Sequence, residues 1–397
     1  MKIRDNYPDG KMFWFNDFYN DGENIFFSVG NFNGLYMYSL KDNRLLRLGR
    51  FKDEGLLGKQ LYGDVYRFQN QLIFIPLSAF SIGIFNLENE SFESVVLPVP
   101  KTEGGIESKF LNSVLYKDSI FAFPGYATYI IEYNINTKKI TIHDDWYEEY
   151  INRWEKQSSL LFHFDMAQIS DMVYIPSAQY NGWFQYCLSD NSYAFIEIKN
   201  ISERINTLAY DGRYFWCSTN CSLAILDLNG DIVDLIGIDN VYGVQGNFYH
   251  SAYDKGNLWL FSSQSSKALR ISCNRYKEEF EIIQYCAKEK SYTSYEYHSI
   301  DFLKRKNEEY FFLCRGNRTL YKIDDENIEK YLEAIEDTTE YSGKNVSDIE
   351  IYIEEMLYQQ KADKYLHRSV FENAVPFEKG NDSHAEDIGT RIYRETL

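Results

Sequence analysis

Residues 205–238, INTLAYDGRYFWCSTNCSLAILDLNGDIVDLIGI, hold one complete structural unit. INTLAY reads as a mixed strand, and Asp211-Gly212 turns the chain into the hydrophobic run YFWCST. SLAILDL then alternates, and Asn229-Gly230 turns the chain once more into IVDLIGI. Asp-Gly and Asn-Gly supply the positive φ that two-residue hairpin turns require. The stretch therefore predicts four antiparallel strands joined by tight turns.

Working outward, the same grammar recurs. It gives NIFFSV, GLYMYSL and LLRL, then QLIFIPL, IGIFNLE and FESVVL, then SIFAF, YIIEYNI and KITIH. MVYIP, WFQYCL and YAFIEI continue it, followed beyond residue 238 by NLWLFSS, KALRIS and FEIIQY, and finally by EYFFLC and TLYKID. A polar residue early in each first strand marks the repeat: Asn16, Asp64, Asn112, Asp165, Asn206, His250 and His298, at steps of 48, 48, 53, 41, 44 and 48. Four-stranded units at this spacing cannot bury both faces alone, so they pack radially. On these residues the chain resembles the seven-bladed β-propeller superfamily over residues 11–335. It lacks the paired glycines of Kelch blades and the Trp-Asp ending of WD blades, so the likeness is architectural and carries no ligand residues across. The expected organisation is an all-β propeller of four-stranded antiparallel blades over residues 1–335 and a short helical C-terminal extension over residues 336–397. Six blades are the alternative. The fourth strand of the last blade comes either from residues 328–335 or from the N-terminal residues 2–7.

Composition narrows the function classes. The 397 residues carry 41 Lys and Arg against 59 Asp and Glu, a formal charge of −18, with 44% apolar residues. That excludes disorder, and a surface this negative repels phosphate backbones, so nucleic acid is not an expected partner. The start, MKIRDNYPDGKMFWF, has no secretory leader pattern, and no apolar run approaches the roughly 18 residues of a membrane span. The six cysteines form no C-x-x-C pair and lie mostly in strand-like runs. A bacterial, cytoplasmic protein with reduced core cysteines is the expectation.

The lengths of the connections single out one end of the blades. The turns within hairpins at the bottom are tight, whereas GRFKDEGLLGKQ, PVPKTEGGIES, DDWYEEYINRWEKQSS, DNVYGVQGN and CAKEKSYTSY, which link one blade to the next on top, are long. Long loops on a rigid scaffold are where binding chemistry usually resides. Within residues 144–159, Trp146, Tyr150 and Trp154 stand four apart, which on a helix makes one aromatic stripe. The stripe suits a sugar or a protein partner; alternatively it pins the excursion onto the propeller.

The seven polar anchors are expected to ring the mouth of the central channel, with Asn16, Asn112 and Asn206 as ligand contacts beside Trp146, Tyr150 and Trp154. His250 and His298, with Asp64 or Asp165, are the candidates for a metal or catalytic centre, because imidazole and carboxylate hold divalent cations and exchange protons. No cofactor is expected on the main reading; a divalent metal at the channel mouth belongs to the alternative. After the last blade, the capping boxes Ser347-Asp-Ile-Glu350 and Ser383-His-Ala-Glu386 predict two helices that pack on the propeller or dock a partner or a second copy. The favoured function is non-catalytic recognition of a protein, peptide or saccharide on the top face. The alternative is a metal-assisted hydrolase, lyase or isomerase acting on a saccharide or peptide at the channel mouth.

Overall fold

The computed structural model of the chain describes residues 14–341 apart from 31, 57, 99–108, 155–159, 239–241, 243–247, 263–264, 287–299, 315–316, 325 and 334–339. The capped helices expected beyond residue 341, His298 and the N-terminal residues 2–7 lie outside the described residues.

Seven antiparallel sheets follow one another along the chain, and the fold is a seven-bladed β-propeller. Blade one comprises β1 (Tyr19–Asn20), β2 (Asn24–Ser28), β3 (Leu35–Ser39) and β4 (Arg44–Gly49); blade two, β5 (Tyr62–Phe68), β6 (Gln71–Pro76), β7 (Ser81–Asn86) and β8 (Phe92–Val96). Blade three contains β9 (Phe110–Tyr116), β10 (Ser119–Pro124), β11 (Ile130–Asn134) and β12 (Lys139–His143), after which comes α1 (Asp145–Arg153). Blade four holds β13 (Ala167–Ile169), β14 (Met172–Pro176), β15 (Gly182–Cys187) and β16 (Tyr193–Glu197); blade five, β17 (Ala209–Tyr210), β18 (Phe215–Ser218), β19 (Ser222–Leu226) and β20 (Ile232–Gly237). Blade six has β21 (Phe248–Asp254), β22 (Asn257–Ser262), β23 (Lys267–Ser272) and β24 (Phe280–Gln284), and blade seven β25 (Ile300–Lys306), β26 (Glu309–Cys314), β27 (Leu320–Asp324) and β28 (Asn327–Leu332). Of the two sources considered for the last strand, residues 327–332 supply it. An unforeseen strand, β29 (Glu340–Tyr341), adds in parallel to β4, with Glu340 opposite Leu46 and Tyr341 opposite Arg47, so blade one has five strands. Among the described residues no helix is long and apolar enough to cross a membrane.

The chain divides into two compact units, residues 1–97 with 334–397, and residues 98–333. In the first unit, Phe26 and Leu35 of blade one pack against Phe51, Tyr62, Phe74 and Phe85. In the second, the apolar clusters of the described residues are each shared by two successive blades. Tyr174 and Trp183 of blade four meet Phe215, Cys217 and Leu226 of blade five; Trp216 and Ile225 meet Leu258 and Leu269 of blade six; Trp259 and Phe261 meet Phe312 and Tyr321 of blade seven. Both faces of the middle strands are thus apolar, which is why those strands read as near-continuous hydrophobic runs.

The bottom turns are reinforced by carboxylates. Asp211 Oδ1 accepts the amides of Arg213 and Tyr214, both at 2.7 Å, while Gly212 takes φ 97°. Asp227 does the same for Asn229 and Asp231 at 2.9 and 3.0 Å, and Asp21 for Glu23 and Asn24 at 2.9 and 2.6 Å. Asp211-Gly212 therefore opens a longer Asx turn, with Tyr210 opposite Phe215, where a two-residue hairpin was expected.

Gly182, opening β15, has φ 153°, and an added Cβ would lie 1.9 Å from the Ile196 carbonyl oxygen of the paired strand. Gly182→Ala should lower the free energy of unfolding by about 3 kcal/mol or more in urea titrations, because strain and a clash with backbone coincide. A loss below about 1 kcal/mol would mean that β15 and β16 separate easily.

Candidate functional site

The polar anchors occupy a common place in the blades. In β5, β9 and β21 a bulge precedes them, and Asp64, Asn112 and His250 then stand opposite Ile75, Phe123 and Phe261. In β25 the register also shifts, between Ile300 opposite Cys314 and Leu303 opposite Phe312.

Asp64, Asn112, Asp165, Asn206 and His250 are buried, and Asn16 is half-buried. A solvated lining was expected; Asn16, Asn112 and Asp165 bond to backbone groups, and Asn206 to the Asn220 side chain. Asn16 Nδ2 donates to the Tyr62 carbonyl at 3.2 Å, and Asn112 Nδ2 to the His163 carbonyl at 3.1 Å. Asn206 Nδ2 donates to Asn220 Oδ1 at 3.0 Å. Asp165 does most. Its Oδ2 accepts the Leu208 amide at 3.3 Å, the Ser251 amide at 2.8 Å and the Ser251 hydroxyl at 2.6 Å, so one carboxylate joins the inner strands of blades four, five and six. Asp17, which the sequence did not single out, forms a similar link in the first unit by accepting the Val65 amide at 2.8 Å. The edge of an inner strand carries backbone groups that must find partners, and a buried carboxylate supplies an acceptor for them.

This arrangement limits what the centre can do chemically. His250 Nδ1 stands 3.7 Å from Asp165 Oδ1, outside hydrogen-bond range, with its ring against Phe164. The Ser251 hydroxyl points to Asp165, so serine, histidine and aspartate do not form a proton relay of the nucleophilic kind. Among the described residues no three His, Cys, Asp or Glu side chains group as a metal would need. Burial pushes the Cys217 thiol well up, and holds Cys273 at about 12, so neither is a ready thiolate.

The aromatic stripe forms on α1 as expected, but it faces inward. Trp146 and Tyr150, expected as ligand contacts, are each 1% exposed, so in this structure their rings serve as packing. They pack among Phe162, Phe184 and Tyr180, with Trp146 Nε1 donating to the His143 carbonyl at 3.2 Å and the Tyr150 hydroxyl to the Leu161 carbonyl at 2.9 Å. Trp154, just past the helix, remains half-buried and stacks on Tyr180 with centroids 4.0 Å apart and planes at 14°. The Arg153 guanidinium lies 5.8 Å from the Trp154 ring and 5.5 Å from that of Phe195, while pairing with Glu149. Ile151, on the outward face, is 41% exposed.

His163 also escaped the sequence reading, because nothing in SLLFHFDM marks its histidine off from core. Its Nδ1 is enclosed without a hydrogen-bond partner, its carbonyl holds the Asn112 amide, and its ring approaches Tyr249 at 6.4 Å. Burial, helped by the nearby Arg204 charge, holds the imidazole down to about 4. The top loops are likewise organised. In the first unit Asn33 Nδ2 donates to the carbonyls of Phe51 at 2.7 Å and Glu54 at 3.1 Å, and Glu54 Oε1 accepts the Phe80 amide at 2.8 Å and the Ser81 hydroxyl at 2.7 Å.

Two outcomes follow from this geometry. Trp146→Ala should destabilise the fold by about 3–5 kcal/mol in urea titrations, as a buried large-to-small change; a loss under about 1 kcal/mol would show that α1 is not anchored. The folded His163 ring takes a proton only near pH 4, whereas an unfolded histidine does so near about 6.5. The contribution to stability is therefore complete above pH 6.5 and lost as pH falls toward 4. His163→Phe should flatten the fall of unfolding free energy across that window, and an unchanged slope in urea titrations at several pH values would refute the burial of the ring.

No family model and no curated protein matches the sequence. Solved structures match the fold. A structure described as the AfRom2 CNH domain aligns over 80% of this chain and 98% of its own, at 11% identity and a TM-score of 0.52. A streptogramin B lyase aligns over 78% of this chain and 92% of its own, at 12% identity and a TM-score of 0.51. The computationally designed Ika8 protein aligns over 83% of this chain and 91% of its own, at 10% identity and a TM-score of 0.50. At such identities the likeness is one of fold alone.

Proposed function

We propose that this chain is a non-catalytic propeller that recognises a peptide segment of a protein partner on the face formed by the inter-blade connections. One observation carries the reading: α1 is fixed to blade four by Trp146 and Tyr150, yet it turns Ile151 outward and places Arg153 and the half-buried Trp154 beside it. A rigid helix offering an apolar, a cationic and an aromatic group together resembles the anchors that dominate protein interfaces. The competing enzymatic reading needs an available carboxylate, and the Asp165 Oδ2 already accepts three hydrogen bonds. A cytoplasmic setting suits the six free cysteines.

The test is retention of random hexapeptides on the immobilised full-length protein, read by mass spectrometry, with an arrayed glycan set as control. Ile151→Asp should reduce peptide retention about tenfold or more while moving Tm by less than about 2 °C, since the residue is exposed. Retention that is indifferent to Ile151→Asp, or confined to glycans, would overturn the reading.

A further inference from the structure

We propose that β24, the outer strand of blade six, is a second interaction surface, to which an extended segment of a protein partner adds as a fifth strand. The segment it fits has β-branched or aromatic residues alternating with Lys or Arg. This surface shares no residue with α1 and stands or falls independently of what α1 binds.

The outer strands differ in how their edges are guarded. β4 is covered by β29, so this chain already accepts an added strand at the outer edge of a blade. β20 exposes Val233 and Leu235, but a bulge interrupts its pairing with β19, and Asp234 is tied to the Tyr276 hydroxyl and the Lys277 amine of blade six, each at 2.7 Å. Bulges and charged side chains are the usual protections of an edge. β24 has no bulge, no Pro and no Lys. Its residues Phe280 to Gln284 pair one for one with Ile271 to Lys267, and among the described residues it ends its sheet.

The two faces of this edge differ in chemistry. Toward blade five, Phe280 and Ile282 remain 38% and 41% exposed, with the Phe280 ring edge-on to Tyr242 at 4.9 Å and Ile282 opposite Leu269 of the cluster that blades five and six share. Apolar cross-strand neighbours suit them, and β-branched and aromatic side chains make the best ones. Toward blade seven, Arg270 holds Glu281 at 3.1 Å and Glu326 at 3.5 Å, and both carboxylates are exposed. One guanidinium between two carboxylates leaves one negative charge uncompensated beside the place an added strand takes. A Lys or Arg of that strand completes the pairing, whereas an Asp or Glu meets repulsion. Because side chains alternate across a strand, the two demands fall on alternate residues of the partner. Main-chain hydrogen bonds to the edge supply affinity, and the alternation supplies specificity. A second copy is the weaker occupant, since it brings the same acidic edge on a chain of charge −18.

The test titrates the full chain against fluorescein-labelled, end-blocked peptides by fluorescence anisotropy. The probe alternates Val and Lys over about seven residues. One control alternates Val and Glu; the other is the Val-Lys peptide N-methylated throughout, which keeps the charge but has no amide donors. The Val-Lys peptide should bind about fivefold or more tightly than the Val-Glu peptide, and N-methylation should abolish binding. Ile282→Lys, at an exposed position, should abolish binding while moving Tm by less than about 2 °C. Glu281→Lys should reverse the preference toward the Val-Glu peptide, and Ile151→Asp should leave both affinities unchanged. Failure of the Val-Lys peptide to bind, equal binding of the Lys and Glu peptides, binding that survives N-methylation or Ile282→Lys, or binding lost in Ile151→Asp each overturns the proposal. Sedimentation velocity should find a monomer; a dimer that Ile282→Lys dissociates would give the edge to a second copy and overturn it as well. If Ile282→Lys does not fold, the reversal in Glu281→Lys decides.

Discussion

A four-stranded antiparallel sheet whose middle strands are apolar on both faces has no stable existence alone. That constraint governs this chain. Within each unit successive blades cover one another's faces, as Trp183 does against Phe215 at 5.1 Å and Phe261 against Phe312 at 4.7 Å. Because side chains alternate across a strand, a one-residue slip in register would exchange the faces, so packing on both sides fixes the pairing strongly. The bulges before Asp64, Asn112 and His250 are compatible with that demand because they recur at the same point of the repeat.

Radial packing leaves a second problem at the inner strands, whose outward backbone groups have no further strand to pair with. Buried carboxylates and amides take that role here. Asp165 is the clearest case, since removing it would leave two backbone amides and a hydroxyl without an acceptor in a desolvated place. At the opposite edge of blade one, β29 covers β4 by strand addition. Inner and outer edges are thus satisfied by different chemistry, side-chain acceptors in one case and main-chain pairing in the other.

The groups left for recognition are those the framework does not need for itself. The Trp146 and Tyr150 rings fasten α1 to blade four, and that attachment is what presents Ile151, Arg153 and Trp154 in fixed positions. Rigid presentation lowers the ordering cost of binding. His163 Nδ1 is enclosed without a hydrogen-bond partner, as are the Tyr180 hydroxyl and the Trp183 and Trp259 indole N–H groups.

Strand alternation, the Asp-Gly and Asn-Gly turns and the helical spacing of Trp146, Tyr150 and Trp154 are local properties, so the seven blades and α1 were legible from the amino-acid sequence. The bulges that precede Asp64, Asn112 and His250 recur at one point of the repeat, so the spacing of these three anchors reflects the strand register. The use of the polar anchors was not legible. Whether a polar side chain faces water or the backbone of another blade depends on groups such as Ser251, 86 residues from Asp165, and no local pattern records that distance. The inward turn of the aromatic stripe, the addition of β29 to β4 and the isolation of His163 Nδ1 were likewise decided only by tertiary structure, because burial is a property of what packs on a residue and not of its neighbours in the chain.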